Sequence, residues 1–344
     1  MSAGPAAPAT VLVTGAAGFL GQAVTRALLA RGHHVRALVR DAAAYRTPDA
    51  GEGRAPVDVV EGDVRAPGLL DRALDGADAV VHLAAQVRGS SSEQFASTVG
   101  GTERLLEALA RPAGAGVRRV VLASSFSVYD WTAVRRRMTE SSPLEPRPQR
   151  RDGYARAKVW QERVVREAAA AAPWDLVVLR PGFIWGRERP EVPGVGQRVG
   201  STMLVVRTRL PLTHVDNCAE AFAAALVADV PSGTTANVVD PDVVTSPRYA
   251  AASAAATGVR RRVVLPYRAG LALAQVARAG GRVAFPRTGG KLPGVLDPVR
   301  YRALFRPLDF PAEVAAGPLG WRPVLTWEQA AARDLAPRGD GADA

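Results

Sequence analysis

The stretch Tyr154-Ala-Arg-Ala-Lys158 sets a phenol and an amine four residues apart. On a helix these side chains share a face, one turn apart. A free tyrosine ionises near pH 10, too high for easy proton exchange at neutral pH. A nearby ammonium favours the phenolate and lowers that value, so the pair suits general acid–base chemistry. The chain has only two lysines, Lys158 and Lys291, so a chance Tyr-x-x-x-Lys is uncommon in this composition.

A second constellation lies near the N-terminus. The short apolar run Thr10–Thr14 leads directly into Gly15-Ala-Ala-Gly18-Phe19-Leu20-Gly21. Glycines at these spacings, between a strand and a helix, let backbone approach a pyrophosphate and let the helix pack close to the sheet. The helix N-terminus adds N–H groups and positive dipole for the phosphates. A dinucleotide is the implied cofactor. The next strand ends Leu38-Val39-Arg40, where a carboxylate would bind the ribose 2′-hydroxyl of NAD. A guanidinium pairs with a 2′-phosphate instead, so Arg40 argues for NADP, with NAD the alternative. The plainer reading is a solvated arginine in an arginine-rich chain.

These residues need a frame. Short apolar runs at Thr10–Thr14, His34–Val39, Val57–Glu61, Ala79–Leu83, Arg119–Ala123 and Leu176–Leu179 read as strands. Helical stretches at Phe19–Ala30, Leu69–Leu74, Glu93–Ala110 and Tyr154–Ala171 fall near or between them. This rhythm predicts an α/β fold, a Rossmann-type doubly wound parallel sheet covered on both faces, with a smaller C-terminal substrate-binding region. The dinucleotide-binding domain is expected over 10–182. The substrate-binding region is expected over 183–335, interleaved with the core around 210–240. Segment 186–212 is rich in Gly, Pro and Arg and is expected to be a lid or loop region, not a sheet core. Asp216 is expected to cap a helix reaching Val227. Residues 1–9 and 337–344 are expected to be disordered tails.

Bulk composition narrows the class. The 344 residues are 47% hydrophobic and 22% charged, as in an ordinary folded protein. The one cysteine, Cys218, cannot form an internal disulfide, which fits a reducing, cytoplasmic setting. Four histidines at unsuitable spacing give no expected metal site. The N-terminal residues lack a basic, then apolar, signal pattern. No run of about eighteen apolar residues predicts a membrane span. The apolar stretch Leu271–Ala279, which follows Arg268 and includes Arg278, reads as a packed helix rather than a membrane-surface one. The net charge of +11 is carried almost wholly by dispersed arginine. Without a helix-turn-helix or RNA-binding signature, no nucleic-acid partner is expected. A basic surface favours anionic small molecules.

Taken in order, these motifs resemble the extended short-chain dehydrogenases/reductases, the family of NAD(P)-dependent epimerases, dehydratases and reductases. The stations are Thr14–Gly21, Gly62-Asp63-Val64, His82-Leu-Ala-Ala85, Ala123-Ser-Ser125, Tyr154/Lys158, Arg180-Pro-Gly182 and His214-Val-Asp-Asn217. The match is strong over about 10–230 and loose beyond. It implies that Asp63 holds the adenine amino group with Val64 against the ring. Leu83, Ala84 and Ala85 would line the cofactor cleft, Lys158 would also grip the nicotinamide ribose, and Pro181 and Ile184 would border the carboxamide. It also implies a serine that hydrogen-bonds the substrate oxygen. The register of the Val128-Tyr129 pair selects Ser125, with Ser124 the fallback. Relatives are often dimers, so a homodimer is one implied assembly.

Departures from the pattern bear on the reaction. Ser125 is followed by Phe126 and Ser127, not by the acidic residues of the dehydratases. The run Arg180-Pro-Gly-Phe-Ile-Trp-Gly186 lacks the asparagine with which sugar-nucleotide epimerases contact a diphosphate. The strand ending Val35–Asp41 resembles the dihydroflavonol reductase and 3β-hydroxysteroid dehydrogenase branches. That implies a carbonyl reductase or alcohol dehydrogenase for a bulky small molecule, with Gln86, Phe126, Phe183 and Trp185 as candidate substrate contacts. The three aromatics have core packing as their alternative. A sugar-nucleotide epimerase or 4-reductase is the second reading, in which Arg187, Arg189, Arg198, Arg207 and Arg209 would hold the diphosphate. A cofactor sensor without catalysis is a third, and the complete Ser125/Tyr154/Lys158 set argues against it.

Overall fold

The computed structural model describes residues 8–47, 57–284 and 298–336. β1 (Thr10–Thr14) runs into the glycine turn and α1 (Phe19–Ala30). β2 (His34–Val39), β3 (Asp58–Glu61), α2 (Leu69–Leu74) and β4 (Ala79–His82) follow. The expected helix Glu93–Ala110 is two helices, α3 (Ser91–Phe95) and α4 (Gly101–Leu109), joined through a π turn at Ala96–Gly100. Next come β5 (Arg119–Ala123), α5 (Gly153–Ala169) and β6 (Asp175–Pro181).

Beyond Pro181 the chain forms β7 (Phe183–Trp185), β8 (Gly196–Val199), β9 (Thr202–Arg207), β10 (Leu212–His214), α6 (Val215–Val227), β11 (Thr234–Val238) and β12 (Arg261–Pro266). The main sheet is parallel, in the order β11-β6-β5-β4-β1-β2-β3. The chain winds from β1 out to β3, then crosses back to β4 on the other side. The order therefore reverses between β1 and β4, and the crevice at the carboxyl ends of those strands is where such sheets bind ligands.

Alternation along β1 shows how both faces are buried. Val11 and Val13 join Val24, Leu28 and Phe222 in one core. Leu12, between them, points to the other face with Val80, Leu105, Leu122 and Val165. Continuous apolar runs are what strands covered on both sides require.

Segment 186–212 is not all loop, because β8 and β9 pair antiparallel and β9 also pairs parallel with β12. Its apolar run Met203-Leu-Val-Val206 was masked by neighbouring Gly, Pro and Arg. Residues 234–238, unassigned in the sequence, form the seventh strand beside β6. The α6 cap is His214, whose Nδ1 accepts the Asp216 N–H at 3.2 Å, so Asp216 sits inside the helix. The expected N-terminal tail is held at Ala9, whose N–H donates to His33 Nδ1 at 3.3 Å. Residues 1–7 and 337–344 lie outside the described residues. The stretch Leu271–Ala279 lies within a longer helix, Tyr267–Ala284, and among the described residues no helix is long and apolar enough to cross a membrane.

Candidate active site

A cleft of about 390 Å³ opens at the reversal point. At its nucleotide end lies the turn between β1 and α1. Gly15 has φ +73°, and a Cβ there would lie 3.0 Å from the Ala84 backbone nitrogen. A Cβ at Gly21 would sit 2.1 Å from the Gly15 carbonyl oxygen, so α1 can pack this close only with glycine. The result is a side-chain-free cradle at a helix N-terminus, which fits a pyrophosphate. Gly18, Phe19 and Leu20 line it, as do Leu83, Ala84, Ala85 and Gln86 after β4 and Pro181 and Ile184 from the β6–β7 edge.

Arg40, Asp63 and Val64 also line the cleft. Asp63 is engaged by a residue the sequence reading passed over. The Arg65 guanidinium donates to both carboxylate oxygens, each at 2.9 Å. That hydrogen bond, aided by charge from Arg65 and Arg40, holds the Asp63 carboxyl down at about 2. Arg65 lines the cleft too, alongside Arg40.

At the other end stand Ser125, Tyr154 and Lys158. α5 begins just before Tyr154 because Asp152 caps it, accepting the Ala155 N–H at 3.0 Å. The cap fixes where the phenol leaves the helix. Ser125 caps the 3₁₀ turn Phe126–Val128, accepting the Ser127 N–H at 3.1 Å, and its hydroxyl is close enough to Tyr154 to influence the phenol. Ser124 is otherwise occupied: its buried hydroxyl donates to Glu162 Oε2 at 2.5 Å. Arg180 grips both oxygens of the same carboxylate. Burial alone would raise Glu162, but the Arg180 hydrogen bond and charge outweigh it and hold it below the usual range.

The Tyr154/Lys158 electrostatics differ from expectation. Burial pushes the Tyr154 phenol above its ordinary value, opposed by the Ser125 hydrogen bond and the charge of Arg189. Lys158 does not offset this, because its ammonium is turned to the Ala123 carbonyl at 2.7 Å and Gln161 Oε1 at 2.8 Å. Burial pulls Lys158 itself down to about 7.

The aromatic substrate wall is not formed. Phe126 is 2% exposed and packs edge-on against Tyr129 and Trp131, with Phe310 behind. Trp185 is 1% exposed, among His214, Tyr249 and Trp327. Phe183 packs against that second cluster. None of the three lines the cleft; the core alternative holds for Phe126 and Trp185. Of the five arginines offered for a diphosphate, Arg189 alone lines the cleft, stacked 5.0 Å over the Phe19 ring. Arg187, Arg198 and Arg209 pair with Asp334, Glu191 and Asp309.

A doubly wound sheet with a glycine cradle at its reversal point and a Ser/Tyr/Lys set beside it defines an NAD(P)-dependent oxidoreductase of the short-chain dehydrogenase/reductase type. The chain belongs to the NAD dependent epimerase/dehydratase family, whose model matches residues 11–238. It is similar to 3 beta-hydroxysteroid dehydrogenase/Delta 5→4-isomerase of Mycobacterium tuberculosis, 30% identical over 342 residues, covering 93% of this chain and 88% of the relative. It is 35% identical over 178 residues to 4-hydroxy-2-methyl-3-oxo-4-farnesyl-3,4-dihydroquinoline-1-oxide ketoreductase of Stigmatella aurantiaca, 51% of this chain and 50% of that one. The fold is similar to UDP-glucose 4-epimerase from Bifidobacterium longum in complex with NAD+ and UDP, with TM-score 0.66 and 22% identity over 95% of this chain and 97% of that one.

Proposed function

We propose that the chain interconverts a carbonyl and an alcohol on a bulky small molecule, using NADP, with Tyr154 as the acid/base. The observation that carries this reading is that Ser125, Tyr154 and Lys158 line the same cleft as the glycine turn and Arg40. Two hydroxyls in one cleft can grip one substrate oxygen.

A bound nicotinamide supplies or accepts the hydride. In reduction, Tyr154 donates its proton to the carbonyl oxygen as negative charge develops there. Ser125 donates a hydrogen bond that orients the same oxygen. The Lys158 N–H not committed inside the protein points its charge to the cleft and binds the nicotinamide ribose. Tyr154, with its value raised by burial, is protonated at neutral pH, as the donor role in reduction requires. Arg40 selects the 2′-phosphate of NADP, with Arg65 as the second cation nearby.

The similarity to the steroid dehydrogenase and the ketoreductase supports a carbonyl/alcohol couple on a large apolar molecule. Arg189 favours a sugar-nucleotide substrate, since it sets a guanidinium in the cleft near Tyr154. The test is cofactor consumption with a panel of bulky ketones. NADPH-dependent turnover with at least one is the expected result. Tightly copurified NAD with conversion of a sugar nucleotide, and no ketone turnover, would overturn it.

A further inference from the structure

Lys158 is 3% exposed, and its ammonium has three protons to place. One goes to the Ala123 carbonyl and one to Gln161 Oε1. One remains for the cleft that Lys158 lines. Gln161 is fully buried, and a polar side chain is costly there unless every group is partnered.

An ammonium only donates, so the Gln161 atom facing Lys158 is the amide oxygen. The amide nitrogen points inward, donates to Thr102 Oγ1 at 2.8 Å and to the Ala84 carbonyl at 3.4 Å, and lies 3.3 Å from His82 Nε2. The Thr102 hydroxyl spends its own proton on the Thr98 carbonyl at 2.7 Å. Its oxygen must therefore accept from His82 Nε2 at 2.8 Å. The shorter Thr102 contact makes His82 the Nε2–H tautomer, so the 3.3 Å approach of the Gln161 amide nitrogen is a contact between two donors and no hydrogen bond, and His82 Nδ1 accepts from the Thr14 hydroxyl at 2.7 Å. The Thr14 oxygen accepts the Ala84 N–H at 3.3 Å. The string begins at Lys158 and ends at Thr14 and Ala84, which line the nucleotide side of the same cleft.

We propose that Gln161 is a positioning residue for Lys158. Its amide oxygen sets the angle at which the remaining N–H meets the cleft. Its amide nitrogen ties that angle, through Thr102 and His82, to Thr14 and Ala84 beside the glycine turn. The inference rests on the reading of Lys158 as a cofactor-binding group given above. A Gln161 that merely filled core space would leave the Lys158 ammonium indifferent to its chemistry.

The two-lysine composition makes a direct test practical. The full chain, labelled with ¹³C-lysine, is titrated by NMR, with Lys158→Met identifying the Lys158 signal. Gln161→Met keeps length but removes the acceptor, so Lys158 should ionise lower by about one to two pH units. Gln161→Glu keeps an acceptor and adds charge, so Lys158 should ionise higher. Opposite signs keep the test readable if one variant fails to fold. NADPH affinity should fall in Gln161→Met, with KM for cofactor rising more than kcat falls. Unmoved Lys158 titration in the folded variants overturns the proposal, whatever the cofactor affinity. A moved titration with unchanged NADPH affinity supports the Gln161 contact and overturns the cofactor role of Lys158 instead.

Discussion

Ser124 and Glu162 are joined by a buried hydrogen bond of 2.5 Å that ties β5 to α5 behind the cleft. Its neighbour Ser125 lines the cleft and accepts the Ser127 N–H instead. Under the proposed function the adjacent serines separate into a structural and a chemical role, as alternation along a strand allows.

The two alanine variants should divide accordingly. Ser124→Ala removes a hydrogen bond to a charged group and should cost about 1.5–3 kcal/mol of stability. Its turnover should stay within a few-fold of wild type. Ser125→Ala should unfold like wild type but lose roughly 10²–10³ in turnover, as for an oxyanion-hole donor. Urea unfolding beside steady-state kinetics on both variants checks the split. A large kinetic loss confined to Ser124→Ala would reverse the assignment.

Arg40→Asp places a carboxylate where the account puts the 2′-phosphate. The NADP/NAD affinity ratio should fall by roughly tenfold or more, since a charge-assisted contact contributes about 1.5–3 kcal/mol. Arg65→Gln should move the ratio the same way by less, because Arg65 is already held by Asp63. Titration of both cofactors against each variant gives the ratio, and an unchanged ratio for Arg40→Asp would refute the assignment.

Lys158 makes stability depend on pH with a definite sign. Burial lowers it from 10.5 to about 7, so the folded state releases this proton first. Between those values the unfolded chain binds more protons, and stability rises with pH by up to about 1.4 kcal/mol per unit. Below the folded value both states are protonated and the slope vanishes. The difference in unfolding free energy between wild type and Lys158→Met should therefore climb from about pH 7.5 to about pH 9.5. A flat difference would show that Lys158 titrates normally.

What was legible in the sequence depended on local geometry. The glycine turn was readable because Gly15 needs positive φ and Gly21 has no room for a Cβ, and both demands arise within a few residues. Tyr154 and Lys158 were readable because helical spacing alone puts them on one face. Phe126 and Trp185 misled because an aromatic at a strand end fits a cleft or a core equally well. Their partners, Phe310 and Trp327, lie far along the chain. β9 and β11 were hidden for the same reason, since β12 and β6 complete them from a distance. Gln161 carries its signal only once the fold brings Thr102 and Ala84 to it.

Because β9 is paired on both sides, its amides should resist hydrogen exchange even without ligand, unlike a lid. Ligand-dependent protection should be confined to the turn at Gly186–Arg189, whose last side chain reaches Phe19. Exchange mass spectrometry with and without NADPH reads both segments. Fast exchange across Thr202–Arg207 would restore the lid.

In the proposed reaction Tyr154 moves the proton. Tyr154→Phe removes one hydroxyl and nothing else from the cleft. Turnover of an accepted ketone, measured at saturating NADPH, should fall by roughly 10²–10⁴-fold, the usual contribution of positioned acid–base catalysis, while NADPH affinity and unfolding stay as in wild type. Near-normal turnover in that variant would place the proton donor elsewhere and contradict the account.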